Sequence, residues 1–119
     1  MNKDSEKYLE RKLCAEVKAM GGIAYKFVSP GRRGVPDRMC VLPGGRVVFV
    51  ELKSYGKKPT PLQEIEIGRL KDLGFEVFVI DSTEKLEVLS SHLRQKYLGQ
   101  WVTVSGKELA EQVARRENK

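Results

Sequence analysis

The stretch GVPDRMCVLPGGRVVFVELKS, residues 34–54, decides the fold of this chain. Two apolar runs lie on either side of a Pro-Gly-Gly turn at positions 43–45, which predicts a β-hairpin. Successive side chains of a strand point to opposite faces, so Glu51 and Lys53 share a face that is otherwise apolar. Packing gives no reason for these two charges, because burying either one unpaired costs several kcal/mol.

A metal ion would remove this difficulty. Asp37 stands at the start of the first apolar run, directly after a proline. The carboxylates of Asp37 and Glu51 can bind a cation, and Lys53 then faces the water that the cation activates. The chain has one histidine and two cysteines, which excludes a His-rich or four-cysteine metal site. Oxygen ligands favour magnesium or manganese over zinc.

Length and composition limit the class of protein. A chain of 119 residues suits one domain with a modest core. It contains no apolar run of roughly 20 residues, and its N-terminus is too charged for a secretory signal. Two cysteines are too few for a disulfide framework. We therefore expect a cytoplasmic protein that is not associated with a membrane.

The net charge of +6 is concentrated in the first half of the chain. Residues 1–54 hold 11 basic and 6 acidic residues, whereas residues 55–119 hold 11 and 10. Cations around an acidic site suit a polyanionic substrate, although a basic surface that only aids solubility is the alternative. The candidate contacts are Lys26, Arg32, Arg33, Arg38, Lys57 and Lys58.

Hydrophobic periodicity and turn signals predict the element order helix, three strands, helix, strand, helix. A helix between the third and fourth strands implies a right-handed crossover and a parallel pair. We therefore predict an α/β fold with a central mixed sheet and helices on both faces. The predicted helices cover 5–20, 60–73 and 83–97, and the predicted strands cover 23–28, 38–42, 46–53 and 75–80.

The second helix carries a capping signal. Thr60 is the predicted cap, with a proline at the first helical position and Gln63 able to close a capping box. Ile65, Leu70 and Leu73 are predicted to form its apolar face.

Residues 98–119 are predicted to be an extension of the core at 1–97. A short strand including Trp101 and a capped basic helix from Ser105 to about Arg116 are expected there. This extension could contact a second copy of the chain or DNA, and Trp101 could be a core or dimer contact or could stack on a base.

With these residues in place, the chain resembles the PD-(D/E)XK nuclease superfamily. Pro36-Asp37 and Glu51-Leu52-Lys53 match the signature of that superfamily. The flanking GRRG loop and the downstream Leu-Gln pair narrow the resemblance to the stand-alone, phage-type VRR-NUC domains, over roughly residues 5–95.

The resemblance implies a restriction-endonuclease-like core that hydrolyses DNA phosphodiesters with Mg²⁺, for which Mn²⁺ can substitute. Asp37, Glu51 and the backbone carbonyl of Leu52 would hold the metal. Lys53 would orient and help to deprotonate the attacking water. Gln63 would contact the scissile phosphate or Lys53, unless its role is only that of a helix cap.

The family usually takes a third carboxylate from the first helix. Glu6 and Glu10 both extend the stripe that contains Leu13 and Val17. The spacing from the helix end favours Glu10, and Glu6 remains the alternative. A solvated helix start is the structural explanation for either residue.

Three functions stay open at this stage. The first is a homodimeric endonuclease selective for branched DNA, similar to Holliday-junction resolvases. The second is a restriction-type, single-strand or flap nuclease with the same site, and the third is a non-catalytic nucleic-acid-binding module. The sequence contains no P-loop, so no nucleotide cofactor is expected.

Overall fold

The elements of the protein follow the predicted order. The computed structural model describes residues 4–98, Glu111 and residues 113–115. The helices are α1 (Glu6–Ala19), α2 (Pro61–Asp72) and α3 (Thr83–Leu93), the last followed by a π-helical turn (Arg94–Leu98). The strands are β1 (Ile23–Lys26), β2 (Arg38–Leu42), β3 (Arg46–Leu52) and β4 (Glu76–Ile80).

The C-terminal predictions fall mostly outside this range. Trp101, the strand expected around it and the capping box at 105–108 lie outside the described residues. Glu111 and residues 113–115 are helical, which agrees with the helix expected to reach about Arg116.

The four strands form one sheet in the order β1-β2-β3-β4. β2 and β3 are antiparallel, with Arg38 opposite Val50 and Leu42 opposite Arg46, so the predicted hairpin is confirmed. β4 is parallel to β3, and Glu51 lies opposite Val79. The predicted parallel pairing of β3 and β4, with α2 between them in the chain, is therefore also confirmed.

Each face of the sheet has its own core. On one face, Val48 and Val50 pack with Leu13 and the other buried residues of α1 and α3. On the other face, Phe49 packs with Ile67 of α2. Because β3 is covered on both sides, its run of residues is apolar continuously rather than alternately. The predicted α/β class with helices on both faces is confirmed.

The inward face of α2 differs from the predicted one. Ile65 and Leu73 are 51% and 76% exposed, whereas Leu70 packs against the sheet as expected. The prediction for Ile65 and Leu73 was therefore wrong. The inward positions recur at helical spacing, and half of them are polar. They are Gln63, Glu66, Ile67 and Leu70.

The predicted apolar stripe of the last helix is buried along its whole length. Its members are Leu86, Leu89, Leu93 and Tyr97. Tyr97 belongs to the π-helical turn, and its O–H donates to Glu76 Oε1 on β4. The turn is thus fastened to the edge strand of the sheet. Within the described ranges, every helix is too short or too polar to cross a bilayer.

Candidate active site

The start of β2 and the end of β3 bring the two predicted carboxylates together. These strands are antiparallel, so the residue before β2 lies beside the last residues of β3. The backbone N–H of Asp37 donates to Glu51 Oε1 at 3.1 Å. In return, the backbone N–H of Leu52 donates to Asp37 Oδ2 at 2.8 Å. The two acidic side chains are therefore each fixed by a backbone N–H of the neighbouring strand segment.

Lys53 lies on the same face of the strand as Glu51 and contacts its carboxylate. Its Nζ lies 3.1 Å from Glu51 Oε2, and 16% of its side chain is exposed. Its backbone N–H donates to the carbonyl of Ile80 at 2.9 Å, which extends the parallel pairing of β3 and β4 by one residue. The ammonium therefore lies just beyond the C-terminal end of β3, where its ion pair with Glu51 holds it.

Gln63 closes the predicted capping box, and its side chain contacts Glu51 rather than the predicted Lys53. Its Oε1 accepts from the backbone N–H of Thr60 at 2.9 Å, while Thr60 Oγ1 accepts from the backbone N–H of Gln63 at 3.2 Å. The other end of the same amide, Nε2, donates to Glu51 Oε2 at 2.6 Å. The capping box therefore orients the amide that contacts the buried carboxylate.

This double role predicts different results for the two halves of the capping box. Thr60→Ala is expected to cost about 1 kcal/mol of unfolding free energy, with little effect on catalysis. Gln63→Ala is expected to cost a similar amount and also to slow cleavage by roughly 10- to 100-fold, because Glu51 loses an orienting donor. Urea unfolding and single-turnover cleavage by the two variants measure both quantities. Equal cleavage rates in the two variants would reduce Gln63 to a helix cap.

The surroundings of Glu51 disfavour its charge. The residue is 1% exposed, and this burial raises its pKa to about 7, with a further contribution from the charge of Asp37. The ion pair with Lys53 acts in the opposite direction. The free protein thus holds a carboxylate that titrates near neutral pH, in a place where a cation would favour the ionised form.

The donor set of this cluster fits a hard divalent cation. Asp37 uses Oδ2 for its backbone hydrogen bond, and within the described part of the chain its Oδ1 accepts none. Leu52 buries its side chain on the opposite face of β3, so only its backbone is directed to this edge. Carboxylate and carbonyl oxygens are the ligands that Mg²⁺ prefers in proteins.

Glu10 is not brought into this cluster. Its carboxylate pairs with Arg38, whose side chain lies on the α1 face of the sheet and also donates to the carbonyl of Ala24. Glu51 lies on the α2 face, since side chains alternate along β3. No three potential metal-binding residues form a group among the described residues. The role of Glu10 as a ligand stays a prediction, and Glu6 is exposed.

The predicted phosphate-binding residues differ in exposure. The side chain of Arg38 is 15% exposed and pairs with Glu10, and its DNA contact stays a prediction. Arg32 is 52% exposed and pairs with Glu66. The other four candidates are exposed cations: Lys26, Arg33, Lys57 and Lys58.

The loop between β1 and β2 packs directly on the first turn of α2. Gly34 has φ +86°, and a Cβ there would lie 2.6 Å from the carbonyl oxygen of Leu62. Only glycine permits this approach. The loop that carries Arg32 is thereby held against the helix that carries Gln63.

Sequence reasoning missed Glu66 and Arg69. Glu66 is 7% exposed, and both Arg32 and Arg69 donate to its Oε1. Glu66 follows Gln63 by three residues and precedes Ile67, so it falls on the inward stripe of α2. That spacing was the available signal, but a search for apolar periodicity alone overlooks it.

Comparisons with known proteins agree with this architecture. No family model matches the chain. A protein called "Putative nuclease p44", from Acyrthosiphon pisum secondary endosymbiont phage 1, is 55% identical over 84 residues. The match covers 71% of this chain and 90% of that protein. A solved structure described as "VRR_NUC domain" superposes with a TM-score of 0.68 at 32% identity, over 77% of this chain and 96% of the other.

Proposed function

Since the chain belongs to the VRR-NUC family of nuclease domains, we propose that it is a metal-dependent endonuclease that hydrolyses DNA phosphodiesters. The observation that carries this proposal is the hydrogen-bonded cluster of Asp37, Glu51, Lys53 and Gln63 at one edge of the sheet. A purely structural role does not account for a carboxylate that is 1% exposed and surrounded by three functional side chains.

Asp37 and Glu51 are the residues that would hold Mg²⁺ or Mn²⁺, with the backbone carbonyl of Leu52 beside them. A bound cation would supply charge neutralisation at the phosphate and a lower pKa for the attacking water. Lys53 is held within 3.1 Å of Glu51, so its ammonium can orient that water or stabilise the charge that develops on the phosphate. Gln63 keeps the Glu51 carboxylate in place through its Nε2.

The exposed cations around the cluster support a polyanionic substrate. Arg33 lies four residues before Asp37, and Lys57 and Lys58 follow Lys53 on the loop that leads to α2. Their charges raise the local concentration of DNA and contact its backbone without reading its sequence.

We further propose that the enzyme acts as a homodimer on branched DNA. Resolution of a four-way junction needs two symmetric cuts, and one chain of this size supplies one cluster. Two copies related by a twofold axis would supply both cuts through an isologous contact.

Cleavage with the metal omitted and then restored tests the proposal. Four-way junction, duplex and flap DNA are incubated with protein treated with EDTA, and Mg²⁺ is added back to half of each sample. We expect cleavage only with Mg²⁺, fastest on the junction, and a dimeric mass by light scattering.

Each part of the proposal has its own contrary result. Cleavage that continues in EDTA would contradict metal dependence. A monomer that cuts duplex or flap DNA but ignores junctions would remove the junction assignment and leave a restriction-type or flap nuclease. Binding with no cleavage under any condition would indicate a non-catalytic module.

A further inference from the structure

A buried acidic residue lies outside the cluster described above. Glu66 is 7% exposed, yet it sits on the inward face of α2 beside Ile67. Arg32 Nη1 and Arg69 Nη1 lie 3.2 Å and 3.1 Å from the same oxygen, Oε1. Burying a carboxylate requires a partner, and one guanidinium would be sufficient. The second guanidinium needs another explanation.

The two arginines keep a surplus of hydrogen-bond donors. Glu66 neutralises one of them, and Asp72, which also lines the groove beside them, offsets the remaining charge. Their side chains are 52% and 55% exposed, and each guanidinium has five N–H donors, most of which stay free here. Because both bind the same oxygen, the two guanidiniums are held close together despite their repulsion. An anion placed between the two guanidinium groups would relieve that repulsion and accept hydrogen bonds from both of them.

A groove lies beside the arginines. Its volume is about 490 Å³, and Arg32, Glu66 and Arg69 contribute to its lining. The rest of the wall is formed by the apolar residues Phe27, Val35, Leu70 and Leu73, together with Ser29 and Asp72. Cations with an adjoining apolar wall suit a nucleotide of a DNA strand, with its phosphate on the arginines and its sugar or base against the wall.

The position of this group relates it to the proposed active site. Glu66 follows Gln63 by three residues on the same face of α2, an axial distance of roughly 4.5 Å. Neighbouring nucleotides of one strand are separated by about 3.4 Å along the duplex axis. Arg32 belongs to the loop that Gly34 holds against the first turn of α2. A phosphate bound here would thus lie close to the scissile one on the same strand.

We propose that Arg32 and Arg69 form a phosphate clamp that holds the cleaved strand next to the scissile bond. Arg69 contacts the DNA backbone, and Glu66 is a positioning residue that fixes the two guanidiniums. This clamp rests on the proposed function, since it presupposes a DNA substrate.

A pair of matched variants on α2 tests the clamp. Arg69→Ala and Lys71→Ala remove the same charge from exposed residues two positions apart, and only Arg69 belongs to the clamp. Binding of a junction DNA is measured in EDTA, without cleavage, at several salt concentrations. Arg69→Ala should weaken binding about tenfold and lower the salt slope by about 1. Lys71→Ala should weaken it less than about twofold, and Arg69→Lys should restore part of the slope.

The outcomes separate the clamp from the nuclease proposal. Equal losses in Arg69→Ala and Lys71→Ala, in a wild type that cleaves with Mg²⁺, would overturn the clamp alone. A specific loss in Arg69→Ala, in a protein that never cleaves, would overturn the nuclease proposal and leave Arg69 as a DNA contact without a scissile bond to serve. A wild type that does not bind DNA would overturn both. If Arg69→Ala does not fold, Arg69→Gln keeps the aliphatic stem and gives the same comparison.

Discussion

Asp37→Asn is expected to slow DNA cleavage by roughly 10³-fold, because several kcal/mol of transition-state stabilisation depend on a bound cation. Asparagine keeps an oxygen that can accept the hydrogen bond from the Leu52 N–H, so the backbone arrangement is retained. The variant loses the charge with which Asp37 would hold the metal. Single-turnover cleavage at saturating enzyme, with Mg²⁺ present, measures the loss.

The same substitution is expected to preserve or raise stability. The charge of Asp37 is the second cause, after burial, of the raised pKa of Glu51. A carboxyl whose pKa rises from 4.5 to about 7 on folding stabilises the protein fully below pH 4.5 and loses that contribution as the pH rises to 7. Removing Asp37 reduces this loss. In the absence of metal, the melting temperature of Asp37→Asn at pH 7.5 should therefore equal or exceed that of the wild type.

Glu87→Gln is the matched control for Asp37→Asn. It removes one negative charge from α3, at a residue whose side chain is 66% exposed. We expect it to leave cleavage unchanged. Cleavage by Asp37→Asn at the wild-type rate would remove Asp37 from the active site, and a lower melting temperature would instead assign it a structural role.

Lys53→Ala is expected to slow cleavage by about 10²- to 10³-fold, the effect of removing one preorganised group that faces developing charge. The ammonium of Lys53 lies 3.1 Å from Glu51 Oε2, and the methyl group of alanine offers neither a charge nor a hydrogen-bond donor in its place. Because Lys53 lowers the pKa of Glu51, its loss raises that pKa further. Protonation of Glu51 would then compete more strongly with metal binding, and part of the activity should return as the pH is raised. A pH–rate profile from pH 6 to 9 measures this shift.

Lys57→Ala provides the comparison for Lys53→Ala. Lys57 is exposed on the following loop and is expected to contact only the DNA backbone. Its loss should weaken binding with little change in the single-turnover rate at saturation. If Lys53→Ala behaves in the same way, then Lys53 binds DNA and takes no part in the chemical step.

The segment at 34–54 predicted much of the proposed site because its signals are local. Alternation along one strand places Glu51 and Lys53 on one face, and an antiparallel hairpin places Asp37 beside them. The resemblance to VRR-NUC domains, drawn from these residues, is confirmed by the relatives of known sequence and structure. The capping role of Gln63 could also be predicted from the sequence, because the capping box is a pattern over four residues.

The errors concern residues whose environment depends on distant parts of the chain. Ile65 and Leu73 are apolar at helical spacing, but the sheet meets α2 along the stripe of Gln63 and Ile67. The DNA contact expected of Arg38 stays a prediction, but its pairing with Glu10 of α1 could not be foreseen from its charge. Glu66 was overlooked because an acidic residue in a helix is usually solvated.

The sequence by itself therefore determined the order of the elements, the hairpin and the local face on which Glu51 and Lys53 lie, since each depends on residues that are neighbours in the chain. Only the tertiary structure decided which face of α2 meets the sheet, that Arg38 binds Glu10, and that Glu66 is buried beneath Arg32 and Arg69. Apart from the Glu66–Arg69 pair within α2, these contacts join residues that are far apart in sequence. Their energies depend on burial and on which charges become neighbours, and apolar periodicity alone encodes neither.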